Sequence, residues 1–404
     1  MRILNLINSA APAGGGPIES IKQAWRVLSP RGHTFDLACL DRPTADWLNE
    51  LPLTAQALGP AFTPFRYAPR GIPWLLQHAE RYDCIIVHGT WLFPSFSAWI
   101  TWRKTQVPYF IYVHGLLDPA LKRLFPLKHF KKTLQWRLVE HRVVRDAAGM
   151  IFTGTVERDA ARVCFSPYQA KELIVPYCVG EPPERDVKAV DRLFQAFPEL
   201  ARKRLVLFMS RLHPKKGCDL LIRAFAETCS QDPSLHLVIA GPDSIGWRAA
   251  LEHLVESLGV KSRVTWTGML LGELKWAALQ AADVLVLPTH QENFGIILVE
   301  ALACGTPVLT TRRTNLWSHI VEERAGLVGE DDLESVTEVL STWCALSGEA
   351  RLAFRCAARA CFLNTFSPER AADQLLSELR RAVGARGLDL GSRERRDQQS
   401  AVSG

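Results

Sequence analysis

Residues 284–311 read VLVLPTHQENFGIILVEALACGTPVLTT. An apolar, β-branched run at 284–287 ends at a proline and a threonine, and a second such run occupies 307–310. Between them, the apolar residues 294–304 are followed by Gly305, which predicts a buried helix that ends at the glycine. The segment therefore predicts a strand, a crossover helix and a second, parallel strand.

The same alternation of β-branched runs and amphipathic helical segments extends along the chain, which predicts parallel sheets connected by crossover helices. The clearest further strands lie at residues 3–7, 84–87, 109–113, 205–209 and 235–240. Each of them runs directly into polar or glycine-rich residues. Because open α/β sheets bind ligands outside the carboxyl ends of their strands, we expect the functional residues at these ends, on two sheets that face each other.

Length and composition are typical of a globular chain with more than one domain. At roughly 150 residues per domain, 404 residues suggest two or three domains. The apolar fraction of 48% and the charged fraction of 22% argue against disorder, collagen-like repeats and polytopic membrane insertion. No uninterrupted apolar run approaches the roughly 18 residues that span a bilayer.

The domain boundary is predicted near residue 182, where three prolines and a glycine cluster. This position gives an N-terminal domain over 1–182 and a C-terminal domain over 183–365. A helix over 366–384 is expected to pack back on the N-terminal domain. The tail, 385–404, is rich in Gly, Ser, Arg and Gln, which predicts disorder.

Cysteines and charge indicate the compartment and the partners. The ten cysteines include no Cys-x-x-Cys pair, so neither a zinc knuckle nor a disulfide framework is indicated, and buried free thiols predict a cytoplasmic location. Residues 1–180 hold 21 Lys and Arg against 13 Asp and Glu, a surplus of +8, whereas the whole chain has a net charge of +6. We therefore expect an acidic partner to bind the first half of the chain. Nucleic acid is not expected, because no reader motif accompanies the charge.

Two glutamates flank the predicted start of the helix. Glu292 lies in the loop before it and Glu300 lies inside it, about 12 Å away at helical rise, with the free N–H groups of the first turn between them. This layout suits a nucleotide sugar, with sugar hydroxyls at Glu292, the diphosphate on the positive helix N-terminus and ribose hydroxyls at Glu300. The intervening donor-binding candidates are Asn293, Phe294, Gly295 and Ile296.

The same separation disfavours a glycosidase, whose paired carboxyl groups sit about 5 to 9.5 Å apart. The alternative to a substrate site is a surface acid and a helix acid that are joined in salt bridges.

A basic loop, SRLHPKKG at 210–217, follows the predicted strand at 205–209. Arg211 can hold a phosphate with two hydrogen bonds, and Lys216 can act on another as a point charge. Cations fixed at this position would stabilise the charge that develops on a leaving nucleoside diphosphate. A solvated basic loop is the alternative.

Two features of the first half are weaker candidates. Gly15 and Gly16 open an amphipathic helix after the first strand and would let a phosphate approach the backbone, but the loop is neither G-x-G-x-x-G nor a Walker sequence, and a flexible turn is the alternative. His114 ends another predicted strand beside a glycine, where an imidazole can meet a sugar hydroxyl or scissile centre, or can be purely structural. His88 is placed in a similar way.

Residues 122–145 hold eight Lys and Arg and one acid, interleaved with Leu, Phe, Trp and Val. A basic amphipathic element of this kind can rest on anionic lipid and meet a lipid-diphosphate-linked glycan. That use would place the protein at the cytoplasmic face of the inner membrane. A solvated helix face over the domain core is the alternative.

Together these residues resemble the GT-B retaining glycosyltransferases of family 4, also called glycosyltransferase group 1. The resemblance runs over nearly the whole chain, to the segment FSPERAA at 366–372. Its most specific element is the E-x7-E signature, which Glu292 and Glu300 meet. By the same similarity, five positions match the family's diphosphate-holding cations, its glycine loop and its histidine near the transferred sugar: Arg211, Lys216, Gly15, Gly16 and His114.

The resemblance implies an α/β fold of the GT-B type, in which two facing Rossmann-like domains form an interdomain cleft, with the donor mainly on the C-terminal domain and the acceptor mainly on the N-terminal one. It implies a hexosyltransferase of EC class 2.4 that moves a hexose-type sugar from a nucleotide diphosphate sugar to a glycan or lipid-linked acceptor with retention. The catalytic residues would then be His114, Arg211, Lys216 and Glu292. We expect a role in surface polysaccharide or lipopolysaccharide biosynthesis, without a cofactor and, because the chain contains no Asp-x-Asp, without a metal.

Two departures from the family pattern concern loops. Ser210 stands where a glycine commonly precedes the arginine, which we expect to alter the flexibility of the phosphate loop slightly. Tyr177-Cys178 replaces the usual Asn-Gly, which we expect to change the interdomain turn. Two alternative functions remain: a non-catalytic nucleotide-sugar-binding partner of a polysaccharide assembly complex, and a GT-B sugar-nucleotide epimerase.

Overall fold

The computed structural model describes residues 1–12, 15–119, 126–184 and 186–384. They form two compact units, Met1–Cys178 together with the chain from Pro368, and Val179–Ser367. The two units divide between Cys178 and Val179, and the last helix, residues 368–384, groups with the first unit. The tail that we predict to be disordered, 385–404, lies outside the described residues.

The first unit contains a parallel sheet with the strand order β3-β2-β1-β4-β5-β6-β7. Its strands are β1 (Arg2–Ile7), β2 (Thr34–Cys39), β3 (Ala55–Ala57), β4 (Cys84–His88), β5 (Tyr109–Tyr112), β6 (Gly149–Phe152) and β7 (Glu172–Ile174). Its helices are α1 (Gly16–Leu28), α2 (Gly71–His78), α3 (Phe93–Thr105), α4 (Pro126–Gln135), α5 (His141–Asp146), α6 (Thr155–Arg162) and the C-terminal helix at 368–384. A π-helical turn, Trp136–Glu140, joins α4 to α5.

The second unit contains a parallel sheet with the order β10-β9-β8-β11-β12-β13. Its strands are β8 (Arg204–Met209), β9 (Leu235–Ala240), β10 (Val264–Gly268), β11 (Val284–Leu287), β12 (Val308–Thr311) and β13 (Gly326–Gly329). Its helices are α7 (Val187–Ala196), α8 (Cys218–Thr228), α9 (Arg248–Ser257), α10 (Gly272–Ala281), α11 (Ile296–Ala303), α12 (Trp317–Glu322), α13 (Leu333–Ala345) and α14 (Gly348–Cys361).

The central strands are buried along most of their length, because the crossover helices cover both faces of a parallel sheet. All residues of β9 and β11 are buried, and β11 pairs in parallel with β8 and with β12. The predicted α/β class, with two Rossmann-like parallel sheets, is therefore confirmed.

The helix predicted at 294–304 begins later than expected. Gly295 has φ +73° and ψ +59°, a left-handed conformation that keeps the residues before it out of the helix. The helix α11 therefore spans only Ile296–Ala303, and Glu292 lies in a loop that pairs with Thr314 instead.

Strand order reverses once in each sheet, between β1 and β4 and between β8 and β11. At such a reversal the crossover helices leave in opposite directions, so a crevice opens at the carboxyl ends of the two strands. In the second unit, the basic loop with Arg211 and Lys216 follows β8, and Glu292 follows β11. The sequence candidates of this unit therefore lie at its reversal point.

The loops after β8 and β11 approach each other closely at a glycine, which has no side chain to prevent the contact. Gly217 has φ +66°, and a Cβ added there would stand 2.0 Å from the carbonyl oxygen of Pro288. An L residue at this position would therefore have both an unfavourable φ and a backbone collision.

Gly217→Ala tests this close approach, and Gly259→Ala is its matched control. Gly259 has φ +68° but open space around its Cβ position, so its substitution adds only the conformational cost of about 1–2 kcal/mol. For a unit of this size that is a fall of very roughly 2–8 °C in the unfolding temperature. We expect Gly217→Ala to lower it by at least twice as much as Gly259→Ala, as measured by differential scanning calorimetry. Equal shifts would show that the loops are not held in this contact.

Candidate functional site

An ion pair joins the two loops at the reversal point of the second unit. The Lys216 ammonium contacts the Glu292 carboxylate, and their side chains are only 13% and 18% exposed. Lys216 ends a tight 3₁₀ turn, Pro214–Lys216, and the Glu292 N–H donates to the Arg313 carbonyl at 3.0 Å. Backbone hydrogen bonds therefore hold the positions from which both charged side chains extend.

Hydrogen bonds around this pair make the loops one framework. The Lys215 carbonyl accepts from the His290 N–H and from the Thr289 hydroxyl, each at 2.8 Å. The Thr311 hydroxyl, at the end of β12, donates to the Thr289 carbonyl at 2.5 Å. The Lys215 ammonium donates to the Gln291 amide oxygen at 3.1 Å. Three neighbouring strand ends therefore hold Lys216 and Glu292 in place.

Glu300 has a partner that the sequence analysis missed. The Lys275 ammonium, from α10, lies 2.6 Å from Glu300 Oε1, and the Glu300 side chain is 12% exposed. The same ammonium lies 4.4 Å from the centroid of the Trp276 ring. The two residues of the ion pair are 25 positions apart, so no helical or strand spacing connects them in the sequence.

The start of α11 offers backbone donors beside Glu292. Gly295 caps the helix, and its carbonyl accepts from the Leu298 N–H at 2.8 Å, so the N–H groups of Ile296 and Ile297 precede the first intrahelical bond. A Cβ at Gly295 would lie 2.9 Å from Leu298 and 3.2 Å from Glu292. Glycine is therefore the residue that lets the glutamate approach the helix start.

The other two donor-binding candidates of this segment differ in environment. The Asn293 amide oxygen accepts from the Asn315 amide at 3.0 Å, and Asn293 remains partly exposed. The Phe294 ring is buried and packs edge-on against Phe366, with centroids 6.1 Å apart. The Phe294 side chain therefore belongs to the core, and only its backbone faces the loop.

Arg211 stands apart from the ion pair. It is exposed, and within the described chain its side chain has neither a hydrogen bond nor a salt bridge. Its loop is held by the neighbouring strand end, because the Leu212 N–H donates to the Pro242 carbonyl at 2.9 Å and a Cβ on Gly241 would meet the Ser210 carbonyl oxygen at 1.8 Å. The structure thus presents Arg211 as a free cation on a fixed loop.

His114, in the first unit, lies in a chain of hydrogen-bonded side chains. Its Nε2 is 3.1 Å from His88 Nδ1, and its Nδ1 is 2.5 Å from the Tyr177 hydroxyl. His88 Nε2 in turn lies 3.1 Å from the Asn5 amide oxygen. The strand-end positions of His114 and His88 are visible in the sequence, but their contacts with Asn5 and Tyr177 are not.

Burial keeps both imidazoles neutral. It lowers the pKa of His88 to about 3. Burial, and secondarily the neighbouring His88, holds the pKa of His114 well below its ordinary value. At neutral pH each ring therefore has one donor and one acceptor nitrogen.

The glycine loop of the first unit lies at the carboxyl end of β1. Gly15 has φ +69°, caps α1 and donates its N–H to the Pro12 carbonyl at 3.1 Å, with open space at its Cβ position. Gly16 is the first residue of α1. The buried Asp41 carboxylate accepts from the Ser9 hydroxyl at 2.7 Å and the Ala10 N–H at 2.6 Å, and so anchors the preceding turn.

The described part of the basic segment, from residue 126, is a helix with an apolar outer side. Phe130, Leu134 and Leu138 are 72%, 55% and 58% exposed. The single acid of the segment, Glu140, is buried and accepts hydrogen bonds from Thr90 and from the Trp91 N–H, which raises the net positive charge left at the surface. Among the described helices, none is long and apolar enough to cross a membrane.

Within the described residues, no group of three or more His, Cys, Asp and Glu side chains could hold a metal ion. The groups at the strand ends of the second unit are instead cations, carboxylates and helix N–H groups. Such a set binds an anion beside hydroxyl groups.

Two family models match the chain. Residues 186–360 match the model described as glycosyl transferases group 1, and residues 15–178 match a glycosyl transferase 4-like domain. A D-inositol 3-phosphate glycosyltransferase of Rhodococcus opacus is 34% identical over 189 residues, which are 45% of this chain and 42% of that protein. The protein of the same name from Actinosynnema mirum is 30% identical over 234 residues, 55% of each chain. The chain thus spans about half the length of these curated relatives.

Solved structures show the same fold at low identity. Anabaena HepE, in complex with UDP and glucose, superposes with a TM-score of 0.72 at 18% identity and covers 94% of this chain and 99% of its own. Sucrose-phosphate synthase of Thermosynechococcus elongatus superposes with a TM-score of 0.73 at 21% identity and covers 95% and 100%. WaaG, a glycosyltransferase involved in lipopolysaccharide biosynthesis, superposes with a TM-score of 0.62 at 20% identity and covers 92% and 99%.

The low pKa values of the two histidines predict an acid-sensitive first unit. Between pH 6.5 and about 3, an unfolded His88 binds a proton and the folded one does not, so the free energy of unfolding falls as the pH falls. The loss approaches about 1.4 kcal/mol per pH unit for each such histidine. We expect His88→Gln to flatten the fall in unfolding temperature between pH 7 and pH 5, measured by circular dichroism. A His253→Gln control, which removes a highly exposed imidazole, should follow the wild type, and an unchanged slope in His88→Gln would contradict the assignment.

Proposed function

The chain belongs to the group 1 glycosyl transferases, and from this premise we propose that it transfers a hexose-type sugar from a nucleoside diphosphate to a hydroxyl of a glycan or lipid-linked acceptor, with retention at the anomeric carbon. The observation that supports this most is the Lys216–Glu292 pair beside the start of α11, at the strand reversal of the second unit.

In this proposal the donor lies along the line from Glu292 to Glu300. The diphosphate binds the N–H groups at the start of α11, the Lys216 ammonium and the Arg211 guanidinium. Glu292 accepts hydrogen bonds from sugar hydroxyls, and Glu300 accepts them from the ribose. Gly295 has no Cβ and so lets the Glu292 side chain lie close to the helix start at which the diphosphate binds.

The existing ion pairs make these carboxylates suitable for hydroxyl recognition. Lys216 and Lys275 each contact one of them, so each carboxylate has a cationic partner in a mostly buried position. An ionised carboxylate is a stronger acceptor for a sugar hydroxyl than a neutral group is. Arg211 carries the free charge that the incoming diphosphate needs.

The chemistry that these groups can support is dissociation of the leaving group. The bond between the anomeric carbon and the diphosphate oxygen breaks, the acceptor oxygen bonds that carbon on the same face, and the acceptor proton passes to a phosphate oxygen. Negative charge grows on the diphosphate during this step, and fixed cations stabilise it more in the transition state than in the ground state. We propose that these cations and the helix start suffice without a divalent metal or another cofactor.

The first unit is proposed to hold the acceptor, with His114 near the transferred sugar and the loop of Gly15 and Gly16 near the donor phosphates. The curated relatives are named for an inositol phosphate, and Anabaena HepE binds UDP and glucose. A phosphorylated acceptor would suit the surplus of +8 in residues 1–180. We therefore propose UDP-glucose as the first donor to test, and acceptors from phosphorylated polyols to lipid-diphosphate-linked glycans of surface polysaccharide or lipopolysaccharide assembly.

Substitution of the two cations tests the proposed site. After a thermal-shift panel of UDP, GDP and ADP sugars has identified the donor, we expect Arg211→Ala and Lys216→Ala to lower its turnover about 10²-fold or more, because each removes a preorganised charge. The control is Arg223→Ala, an exposed arginine on α8, which should keep wild-type turnover.

The measurement is release of the nucleoside diphosphate in the presence of acceptor. Wild-type turnover in both variants would refute the assigned roles. Donor binding without release in the wild type would favour a binding protein, and isomerised donor without acceptor would favour an epimerase.

We further propose that the outer side of α4 and of the π-helical turn after it rests on an anionic membrane at the cytoplasmic face of the inner membrane. Phe130, Leu134 and Leu138 recur at four-residue spacing on the exposed side of this segment. Exposed basic residues stand among them, including Lys131 and Arg137. Apolar side chains that enter the interface and cations that meet anionic headgroups are the two contributions that hold a peripheral helix.

Vesicle sedimentation tests this surface. We expect the wild type to bind vesicles that contain phosphatidylglycerol and to bind pure phosphatidylcholine weakly. The combined Phe130→Ser, Leu134→Ser and Leu138→Ser variant should lose at least tenfold in affinity, because it removes the apolar area that enters the lipid. Val163→Ser, at another exposed apolar position of the first unit, is the control and should bind as the wild type does. Equal binding by the triple variant would exclude the helix as the contact.

A further inference from the structure

The hydrogen-bonded side chains around His114 have only one consistent direction. The Asn5 amide nitrogen donates to the Asp36 carbonyl at 3.2 Å, so the Asn5 oxygen is the acceptor that faces His88. His88 must therefore carry its proton on Nε2, and its bare Nδ1 must accept from His114 Nε2–H. His114 Nδ1 is then unprotonated and accepts from the Tyr177 O–H. The position of each ring proton follows from which neighbouring group can donate and which can accept a hydrogen bond.

The backbone that carries Tyr177 is fastened to the same sheet. The Tyr112 hydroxyl, at the end of β5, donates to the Val175 carbonyl at 2.5 Å and lies 3.1 Å from the Pro176 carbonyl. The Cys178 N–H donates to the Ser20 hydroxyl at 3.1 Å. Tyr177 is itself buried. Its hydroxyl therefore reaches His114 from a fixed backbone.

Stacking fixes the plane of the imidazole. The Tyr112 and His114 rings are nearly parallel, with centroids 4.9 Å apart. The His88 ring also stacks on His114, with centroids 5.3 Å apart and an angle of 16° between the ring planes. His114 also has φ +55°, an uncommon backbone conformation for a residue with a side chain. A ring held in its plane, with both nitrogens bonded, has one orientation and one tautomer.

We infer that Tyr177 is a positioning residue that, together with His88 and Asn5, fixes His114 as the neutral Nε2–H tautomer with Nδ1 as its acceptor nitrogen. The inference rests on the proposed function only for its kinetic consequence, which is that His114 meets the sugar as an uncharged group. Tyr177 stands where the resembled family commonly has an asparagine, so this hydroxyl is a feature of the chain itself.

Burial shifts the pKa of the titratable groups that face His114. From β4 comes His88, whose pKa burial lowers to about 3, and from β5 comes Tyr112, whose pKa burial raises well above its ordinary value. Burial also raises the pKa of Cys178 to about 12. Beyond the strand, the Glu157 carboxylate accepts from the Gly115 N–H at 2.6 Å. Loss of the Tyr177 hydroxyl would leave Nδ1 of His114 without its hydrogen-bond donor.

The direct test is long-range ¹⁵N–¹H NMR of the histidine rings in the full chain, with wild type, Tyr177→Phe and a Tyr82→Phe control. Tyr82→Phe removes a hydroxyl that donates to the Asp36 carboxylate at 3.0 Å, in the same unit but outside this chain of groups. In the wild type, His88 and His114 should both show a bare Nδ1 and a protonated Nε2 from pH 7 down to pH 5. In Tyr177→Phe the His114 Nδ1 signal should shift, because that nitrogen loses its hydrogen-bond donor, whereas Tyr82→Phe should leave it unchanged.

A kinetic readout accompanies the spectra. With the donor identified above, Tyr177→Phe should lower kcat/KM about tenfold, the effect of losing one hydrogen bond to a reacting-site group, whereas Tyr82→Phe should keep the wild-type value. Unchanged His114 signals and an unchanged kcat/KM in Tyr177→Phe would overturn the inference.

The wild-type spectrum decides the tautomer even if Tyr177→Phe does not fold, because a proton on Nδ1 of either histidine would contradict the direction of the network. An absence of turnover with every donor would refute the proposed function and leave the NMR test standing.

Discussion

An ion pair between Lys216 and Glu292 connects the loops that follow β8 and β11, and the candidate site is organised around it. Each charge is mostly buried, and a partly buried charge without its partner would be costly, so the pair specifies how the two loops meet. The bare backbone at Gly217 permits the approach, and the framework of hydrogen bonds through Lys215 maintains it. The start of α11 and the free guanidinium of Arg211 then lie on loops whose positions are already set.

The two units use their strand ends differently. In the second unit, the strand reversal gathers cations, carboxylates and helix N–H groups, which suits a charged ligand that carries hydroxyls. In the first unit, the corresponding edge holds a neutral network that runs from Asn5 through two histidines to Tyr177. Neutral imidazoles suit contact with an uncharged sugar. Exposed cations of this unit, such as Lys131 and Arg137, lie on the helical segment that begins at residue 126.

The fold was predictable from local patterns, and the partners within the site were not. The segment 284–311 predicts its strands because a parallel strand buried on both faces must be apolar throughout. It does not predict the late start of α11, which depends on the left-handed conformation of Gly295. The contacts of Lys275 with Glu300 and of Tyr177 with His114 were not predicted, because each pair is far apart in the sequence and no periodic signal connects its members. Phe294 was assigned to the donor site by position, although its ring belongs to the core.

We propose that the diphosphate of a nucleotide sugar binds between the loop after β8 and the start of α11. Amide hydrogen exchange with and without UDP can locate this binding, because it reports where the ligand orders the backbone. We expect slower exchange at the first-turn amides of Ile296 and Ile297 and in the loop 211–217. If saturating UDP slows exchange elsewhere and leaves these amides unchanged, the diphosphate does not bind there.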